Sequence, residues 1–107
     1  MNPLAPPLPS YQELPLLSKK DFQALATQKN ILLFRDLVVD VSGFDHPGSN
    51  HLLKQFMEKD IAGPYIDRKH SLNADLVLCH RTVGRLESSP LLESQDFYNS
   101  VKKHQLV

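Results

Sequence analysis

The sequence has a single cysteine, no tryptophan and no excess of charge of either sign. Cys79 has no second thiol to pair with, so the chain can form neither an internal disulfide nor a cysteine-rich zinc site. One unpaired thiol is typical of a reducing, intracellular setting, and we expect a cytoplasmic protein. Twelve Lys and Arg residues offset twelve Asp and Glu residues. Because nucleic-acid binders normally carry a basic excess, we expect no nucleic-acid partner.

Long apolar runs are also missing. The purest run, Ile31 to Phe34, has four residues, whereas a membrane-spanning helix needs about 20. The N-terminus lacks the basic start and apolar stretch of a signal peptide. We therefore expect a soluble chain without a transmembrane segment, either complete in itself or part of something longer. A single domain of 107 residues has a thin core, so a buried cofactor would add materially to its stability.

Proline divides the chain into three parts. Five of the eight prolines lie within the first fifteen residues, at positions 3, 6, 7, 9 and 15. Proline fixes φ and has no N–H to donate, so residues 1–16 are predicted to be a flexible arm. Residues 17–88 are predicted to form the domain. Residues 89–107 are predicted to be a C-terminal extension, either a short amphipathic helix or a linker.

Local signals predict a mixture of helices and strands. Ser18 and Asp21 have capping-box spacing and predict a helix that ends near Asn30. Two β-rich runs, residues 31–34 and 37–41, flank Arg35-Asp36 and predict a hairpin. A second helix is predicted to start near Ser71, and residues 82–86 can return to the sheet. An apolar stripe on a further short helix is predicted after the Pro47-Gly48 turn, at Leu52, Leu53, Phe56 and Met57.

Two of the five histidines stand at turns that precede helices. His46 is followed by Pro47-Gly48, and His70 comes directly before the predicted cap at Ser71. Each ring can therefore project into a cleft shared by the helices. His51 is expected to face water. His80 follows Cys79 at about 100° around a helix, so the two cannot form a nucleophile–base pair, and we expect a core thiol and a surface imidazole.

Two convergent imidazoles suit few ligands. A structural zinc ion needs four ligands, and Asp45 or Asp67 would have to complete the set. An iron macrocycle needs only two ligands on opposite sides of the metal, together with an apolar slot. The spacing of the residues favours the second interpretation and leaves the first open.

The sequence resembles the cytochrome b5-type haem-binding domain. The residues that carry the resemblance are Val39-Asp-Val-Ser-Gly-Phe44, His46-Pro-Gly48, Asp60, Tyr65, Lys69-His-Ser-Leu-Asn-Ala74 and Val83-Gly-Arg-Leu86. It runs without a gap from His46 to Leu86, and the separation of His46 and His70 is the usual one in the family. Ser49 stands where the family usually has a second glycine. The resemblance implies an α+β, cytochrome b5-like fold, with a small mixed sheet and two helix pairs that form a haem cleft.

The resemblance also implies a set of site residues. His46 and His70 match the axial iron ligands of a non-covalent b-type haem (haem b). The positions that match residues packing beside the haem, or hydrogen-bonding a propionate, are Phe44, Leu53, Tyr65, Ser71, Leu72 and Leu76. For Leu53, Leu72 and Leu76, the helical spacing of apolar residues fits an ordinary core position about as well as a position beside the haem. An N-cap role fits Ser71 equally well.

Two axial histidines leave no open position on the iron, so the implied function is one-electron transfer and not catalysis. A monomeric carrier would accept electrons from a flavin-type reductase and pass them to an unknown redox acceptor. One alternative is a haem-free module of the same fold that binds lipid or protein. Another is the electron-input domain of a larger lipid hydroxylase or desaturase, since residues 69–74 are similar to the module fused to fatty acid 2-hydroxylases. A metal-dependent enzyme lacks a third ligand at motif spacing.

Overall fold

A computed structural model describes residues 7–43, 57–67, 70–87 and 92–105. Its elements, in chain order, are a 3-10 turn at Tyr11–Glu13, strand β1 (Leu16–Leu17), helix α1 (Lys19–Gln28), strands β2 (Ile31–Phe34) and β3 (Leu37–Asp40), helices α2 (Ala62–Asp67) and α3 (Leu72–His80), strand β4 (Thr82–Leu86) and helix α4 (Leu92–Gln105). The predicted α+β class is confirmed. Among these helices, none has the length and apolar character needed to cross a membrane.

The four strands form one mixed sheet in the order β1-β4-β3-β2. β2 and β3 pair antiparallel from Ile31↔Asp40 to Phe34↔Leu37, which confirms the predicted hairpin. β3 and β4 are also antiparallel, whereas β1 runs parallel to β4. The outer edge of β2 is partly covered by an isolated bridge between Leu33 and Asp60. The sheet thus brings the chain before α2 beside the hairpin.

β1 can approach β4 closely because residue 84 is glycine. A Cβ atom at Gly84 would lie 2.8 Å from the carbonyl oxygen of Pro15 and 2.9 Å from Cδ1 of Leu17. Contacts that short would force the backbone of β1 away. The absence of a side chain here is therefore part of what places the N-terminal segment on the sheet.

Two of the helix starts predicted from sequence are present, whereas the helix predicted after the Pro47-Gly48 turn begins outside the described residues. The Ser18 hydroxyl accepts the Asp21 N–H at 3.0 Å, and the Asp21 carboxylate accepts the Ser18 N–H at 3.1 Å, which completes a capping box on α1. The Ser71 hydroxyl accepts the Ala74 N–H at 3.2 Å and so caps α3. The N-cap interpretation of Ser71 is confirmed.

The core lies between the sheet, α3 and α4, and it includes the N-terminal segment. Its buried members are Leu8, Tyr11, Leu14, Leu32, Phe34, Leu37, Val39, Val41, Ala62, Leu78, Cys79, Tyr98 and Val101. The Cys79 thiol is buried and His80 is exposed, both as predicted.

The described part of the proline-rich segment, residues 7–16, differs from the expected flexible arm. Leu8, Tyr11 and Leu14 are no more than 4% exposed. The guanidinium of Arg85 lies 4.9 Å from the centre of the Tyr11 ring, and its Nε donates to the Tyr11 carbonyl at 3.2 Å. Proline restricts the backbone but does not prevent the apolar residues between the prolines from filling a core.

The predicted C-terminal helix forms as α4 and packs into the same core as the sheet. Tyr98 is fully buried, and its hydroxyl donates to the Pro9 carbonyl at 2.9 Å. The rings of Phe97 and Phe34 stack with their centres 4.5 Å apart. Helix α4 therefore joins the two ends of the described chain through the core.

Candidate functional site

The structure describes one side of the predicted site. Phe44, His46 and Leu53 lie outside the described residues. The predicted site residues within them are Tyr65 on α2, His70 between α2 and α3, and Ser71, Leu72 and Leu76 at the start of α3. The geometry of the candidate site is therefore built from the second histidine loop.

Tyr65 is held by the aromatic part of the core. Its ring meets the ring of Phe34 edge-on, with centres 5.7 Å apart and planes at 83°. It meets Phe97 of α4 in the same way, at 6.4 Å and 85°. The Tyr65 N–H donates to the Ile61 carbonyl at 2.8 Å, within the first turn of α2. Backbone and ring together fix where this side chain lies.

His70 lies flat against Tyr65. The two ring centres are 3.8 Å apart and the planes differ by 3°. Nδ1 of His70 is 3.0 Å from the Tyr65 carbonyl oxygen. A carbonyl can only accept, so Nδ1 carries the hydrogen and donates it. In the neutral imidazole Nε2 then has a lone pair, which is the form that binds a metal ion.

Asp75 completes this arrangement from the opposite end of Tyr65. The Tyr65 hydroxyl donates to Oδ1 of Asp75 at 2.6 Å. Burial, followed by the hydrogen bond to Asp75 and its charge, raises the pKa of Tyr65 well above its ordinary value near 10. The phenol therefore remains a donor at neutral pH. Sequence reasoning missed Asp75, because the residue is ten positions from Tyr65 and only the turn between α2 and α3 brings them together.

The predicted leucines have different environments. Leu76 is partly buried and packs against the core cluster, whereas Leu72 is 45% exposed. Ile66, which the sequence did not single out, is 48% exposed. Two large aliphatic side chains close in the chain to His70 are therefore turned toward solvent. Leu72 was among the predicted site residues, whereas Ile66 lies on the preceding helix and carries no sequence signal of its own.

Other chemistry is limited in this part of the molecule. Burial, with a smaller contribution from the charge of Asp75, raises the pKa of the Cys79 thiol to about 12, so the thiol is not an activated nucleophile. Within residues 7–43, 57–67, 70–87 and 92–105, no group of three or more His, Cys, Asp or Glu side chains is placed to hold a metal ion. Asp45, one of the two candidates for completing a zinc site, lies outside these ranges.

Comparison with known proteins gives one informative similarity. No protein-family model matches the chain. A segment of 60 residues is 40% identical to the NADH-cytochrome b5 reductase-like protein alnC of Emericella nidulans. The segment covers 54% of this chain but 13% of alnC, so the chain corresponds to a small part of that protein's length.

Proposed function

We propose that the chain binds haem b between His46 and His70 and carries single electrons from a flavin-type reductase to a redox acceptor. The observation that carries the proposal is the hydrogen bond from Nδ1 of His70 to the Tyr65 carbonyl. Metal-binding histidines almost always donate their second ring N–H to a carbonyl, carboxylate or water, which fixes the tautomer and the ring orientation. His70 has this arrangement through its Nδ1 and the Tyr65 carbonyl.

The side chains near His70 also suit a flat apolar ligand. Ile66 and Leu72 are exposed by 48% and 45%, although both are large aliphatic residues. Both residues are close in the chain to His70, and a contiguous exposed apolar patch can mark a ligand-binding groove. A porphyrin supplies the apolar faces that would cover them, and a hydrated zinc ion does not.

His46 enters the proposal through the resemblance, as the second ligand. His46 and His70 would hold the haem, and the haem would supply a reversible one-electron change between Fe(III) and Fe(II). Tyr65 holds the ring of His70 through its carbonyl and its stacked ring, and the aliphatic side chains close in the chain to His70 would be covered by the ligand. The chain would then be a carrier and not an enzyme. The sequence has no Cys-x-x-Cys-His, so we expect no covalent attachment.

The similarity to a protein named as an NADH-cytochrome b5 reductase-like protein supports a redox role and a reductase as the electron donor. The matched segment is a small fraction of that protein, which also fits a domain that supplies electrons within a larger protein, such as a lipid hydroxylase or desaturase. Both settings require the same chemistry at His46 and His70.

Absorption spectra of the purified protein mixed with hemin test the proposal. We expect bands of low-spin, six-coordinate haem in the oxidised and the dithionite-reduced protein, and poor binding of carbon monoxide. His46→Ala and His70→Ala should each either lose the haem or open the iron to carbon monoxide. A protein that stays colourless with hemin would contradict the proposal.

His104→Ala is the matched control. Nδ1 of His104 lies 2.8 Å from the Ser100 carbonyl, so this exposed imidazole makes the same kind of bond as His70 but stands on α4. Its replacement should leave the spectra unchanged. Spectra that change with His104→Ala and not with His70→Ala would show that the wrong histidine has been assigned.

A further inference from the structure

We propose that Asp75 is a positioning residue for His70. By accepting the hydrogen bond of the Tyr65 hydroxyl, it fixes the Tyr65 ring, and that ring sets the plane of the imidazole. The inference rests on the proposed function insofar as His70 is an iron ligand, whereas the coupling between the three side chains can be measured without haem.

Asp75 has a fixed position on α3. It lies in the first turn of α3, where its N–H donates to the Ser71 carbonyl at 3.1 Å. The Ser71 side chain caps the same turn through the Ala74 N–H. A carboxylate on a capped helix is a better anchor than one on a loop, because the backbone below it has one conformation.

Asp75 in turn determines the orientation of the Tyr65 ring. The edge contacts with Phe34 and Phe97 limit where the ring can go and have the geometry that aromatic pairs prefer, but each contact is weak by itself. A hydrogen bond to a carboxyl oxygen is directional, and this one measures 2.6 Å. Asp75 therefore holds the far end of a ring whose near end is attached to α2.

Tyr65 contacts His70 in two ways. Its ring lies parallel to the imidazole at 3.8 Å, and its carbonyl accepts the Nδ1 hydrogen at 3.0 Å. A tilt of the Tyr65 ring would therefore tilt the imidazole plane or weaken its hydrogen bond. For a ligand, the direction of the Nε2 lone pair follows the same plane.

A purely structural role for Asp75 is the competing explanation, because an acidic residue in the first turn stabilises a helix through the dipole. Three variants separate the two roles. Tyr65→Phe removes the hydroxyl and keeps the ring. Asp75→Ala removes the acceptor, and Asp75→Asn keeps an acceptor oxygen but loses the charge. Asp96→Ala, at an exposed acidic position on α4, is the matched control.

The measurement is NMR of the His70 ring in the haem-free protein at about pH 8, above the ordinary histidine pKa of about 6.5. We expect the wild type to show the Nδ1-protonated tautomer, with ring protons shifted upfield by the stacked phenol. Asp75→Asn and Asp96→Ala should retain both signals. Tyr65→Phe and Asp75→Ala should lose the upfield shift and mix the tautomers. After loading with hemin, these two should release haem roughly 10-fold faster than the wild type.

Unchanged His70 signals in Tyr65→Phe and Asp75→Ala would overturn the inference. Loss of the signals in Asp75→Asn but not in Tyr65→Phe would also overturn it, because the charge of Asp75 at the helix start would then explain its role. Tyr65→Phe removes one oxygen atom and leaves no cavity in the core, so it decides the matter even if Asp75→Ala does not fold. A protein that shows the coupling by NMR but takes up no hemin would defeat the proposed function and leave the positioning role of Asp75 intact.

Discussion

Asp60 shows how much one carboxylate organises at the residue scale. Its Oδ1 accepts the backbone N–H of Arg35 at 3.0 Å and that of Ala62 at 2.9 Å, and its Oδ2 accepts a guanidinium hydrogen of Arg35 at 3.1 Å. Arg35 has φ of +55°, a left-handed conformation that costs a side-chain-bearing residue about 1–2 kcal/mol. The other side of its guanidinium pairs with Glu93 of α4 at 3.2 Å. Asp60 and Glu93 thus hold the hairpin turn in place.

The charge of Asp60 should make the fold sensitive to acid. Burial alone would raise the pKa of Asp60, but the hydrogen bonds from Arg35 and Ala62 outweigh it and lower the pKa. A depressed folded-state pKa adds stability that is present above the unfolded value of about 3.9 and is lost as pH falls through the lower folded value.

We therefore expect Asp60→Asn to lower the free energy of unfolding by about 1 kcal/mol at pH 7 and to lose less further stability than the wild type below about pH 4. Urea denaturation at a series of pH values measures this. Asp96→Asn, an exposed position with the same change of charge, serves as the control. Acid sensitivity equal to that of the wild type in Asp60→Asn would contradict the assignment.

At the scale of elements, helix α4 and the N-terminal segment hold each other in place over the hairpin turn. Asp36 is 1% exposed and accepts hydrogen bonds from the hydroxyls of Tyr11 and Ser94. Burial, followed by the bond to Asp36, raises the pKa of Tyr11 to about 12, so this hydroxyl stays a donor. Tyr98 of α4 packs edge-on against Tyr11, with ring centres 6.3 Å apart. Residues 7–16 and helix α4 therefore pack together in one part of the core.

Replacement of Tyr98 tests whether the packing of α4 on residues 7–16 stabilises the fold. Tyr98→Ala removes a fully buried ring and its bond to the Pro9 carbonyl, and we expect a loss of about 3–5 kcal/mol in the free energy of unfolding. The neighbouring Asn99→Ala, at an exposed position, should change it by less than about 0.5 kcal/mol. Urea denaturation followed by circular dichroism measures both. A Tyr98→Ala protein as stable as Asn99→Ala would show that α4 does not contribute to the core.

Elements with local signals were predictable. The capping box of α1 and the cap of α3 need only residues three positions apart, and the hairpin needs two β-rich runs around Arg35-Asp36. The packing of residues 7–16 was not predictable, because its partners on β4 and α4 are more than seventy positions away in sequence. The candidate site also has a part that was predictable and a part that was not. The histidine spacing is visible in the sequence, whereas the bond between Tyr65 and Asp75 is not.

For the whole molecule, the proposed haem would be a large addition to a thin core. A ligand that binds only the folded state raises the free energy of unfolding by about 2.7 kcal/mol at 100 times its dissociation constant. For a domain near 100 residues that corresponds to a rise of roughly 10 °C or more in Tm.

We expect hemin to raise the Tm of the wild type by this amount and to leave the Tm of His70→Ala nearly unchanged. Thermal unfolding followed by circular dichroism, with and without hemin, measures the difference, and His104→Ala should behave as the wild type does. An equal rise in His70→Ala would mean that hemin binds elsewhere on the surface.

The sequence by itself determined the caps of α1 and α3 and the β2–β3 hairpin, because capping and pairing across a short turn are relations between near neighbours, whereas α2 was not predicted. The spacing of His46 and His70 is likewise read directly from the sequence. Only the tertiary structure decided that residues 7–16 and α4 pack at the hairpin turn and that Tyr65 contacts both Asp75 and His70. These contacts depend on how the sheet, α2, α3 and α4 stack. That stacking is the sum of many weak packing interactions between distant residues, which no short stretch of sequence contains.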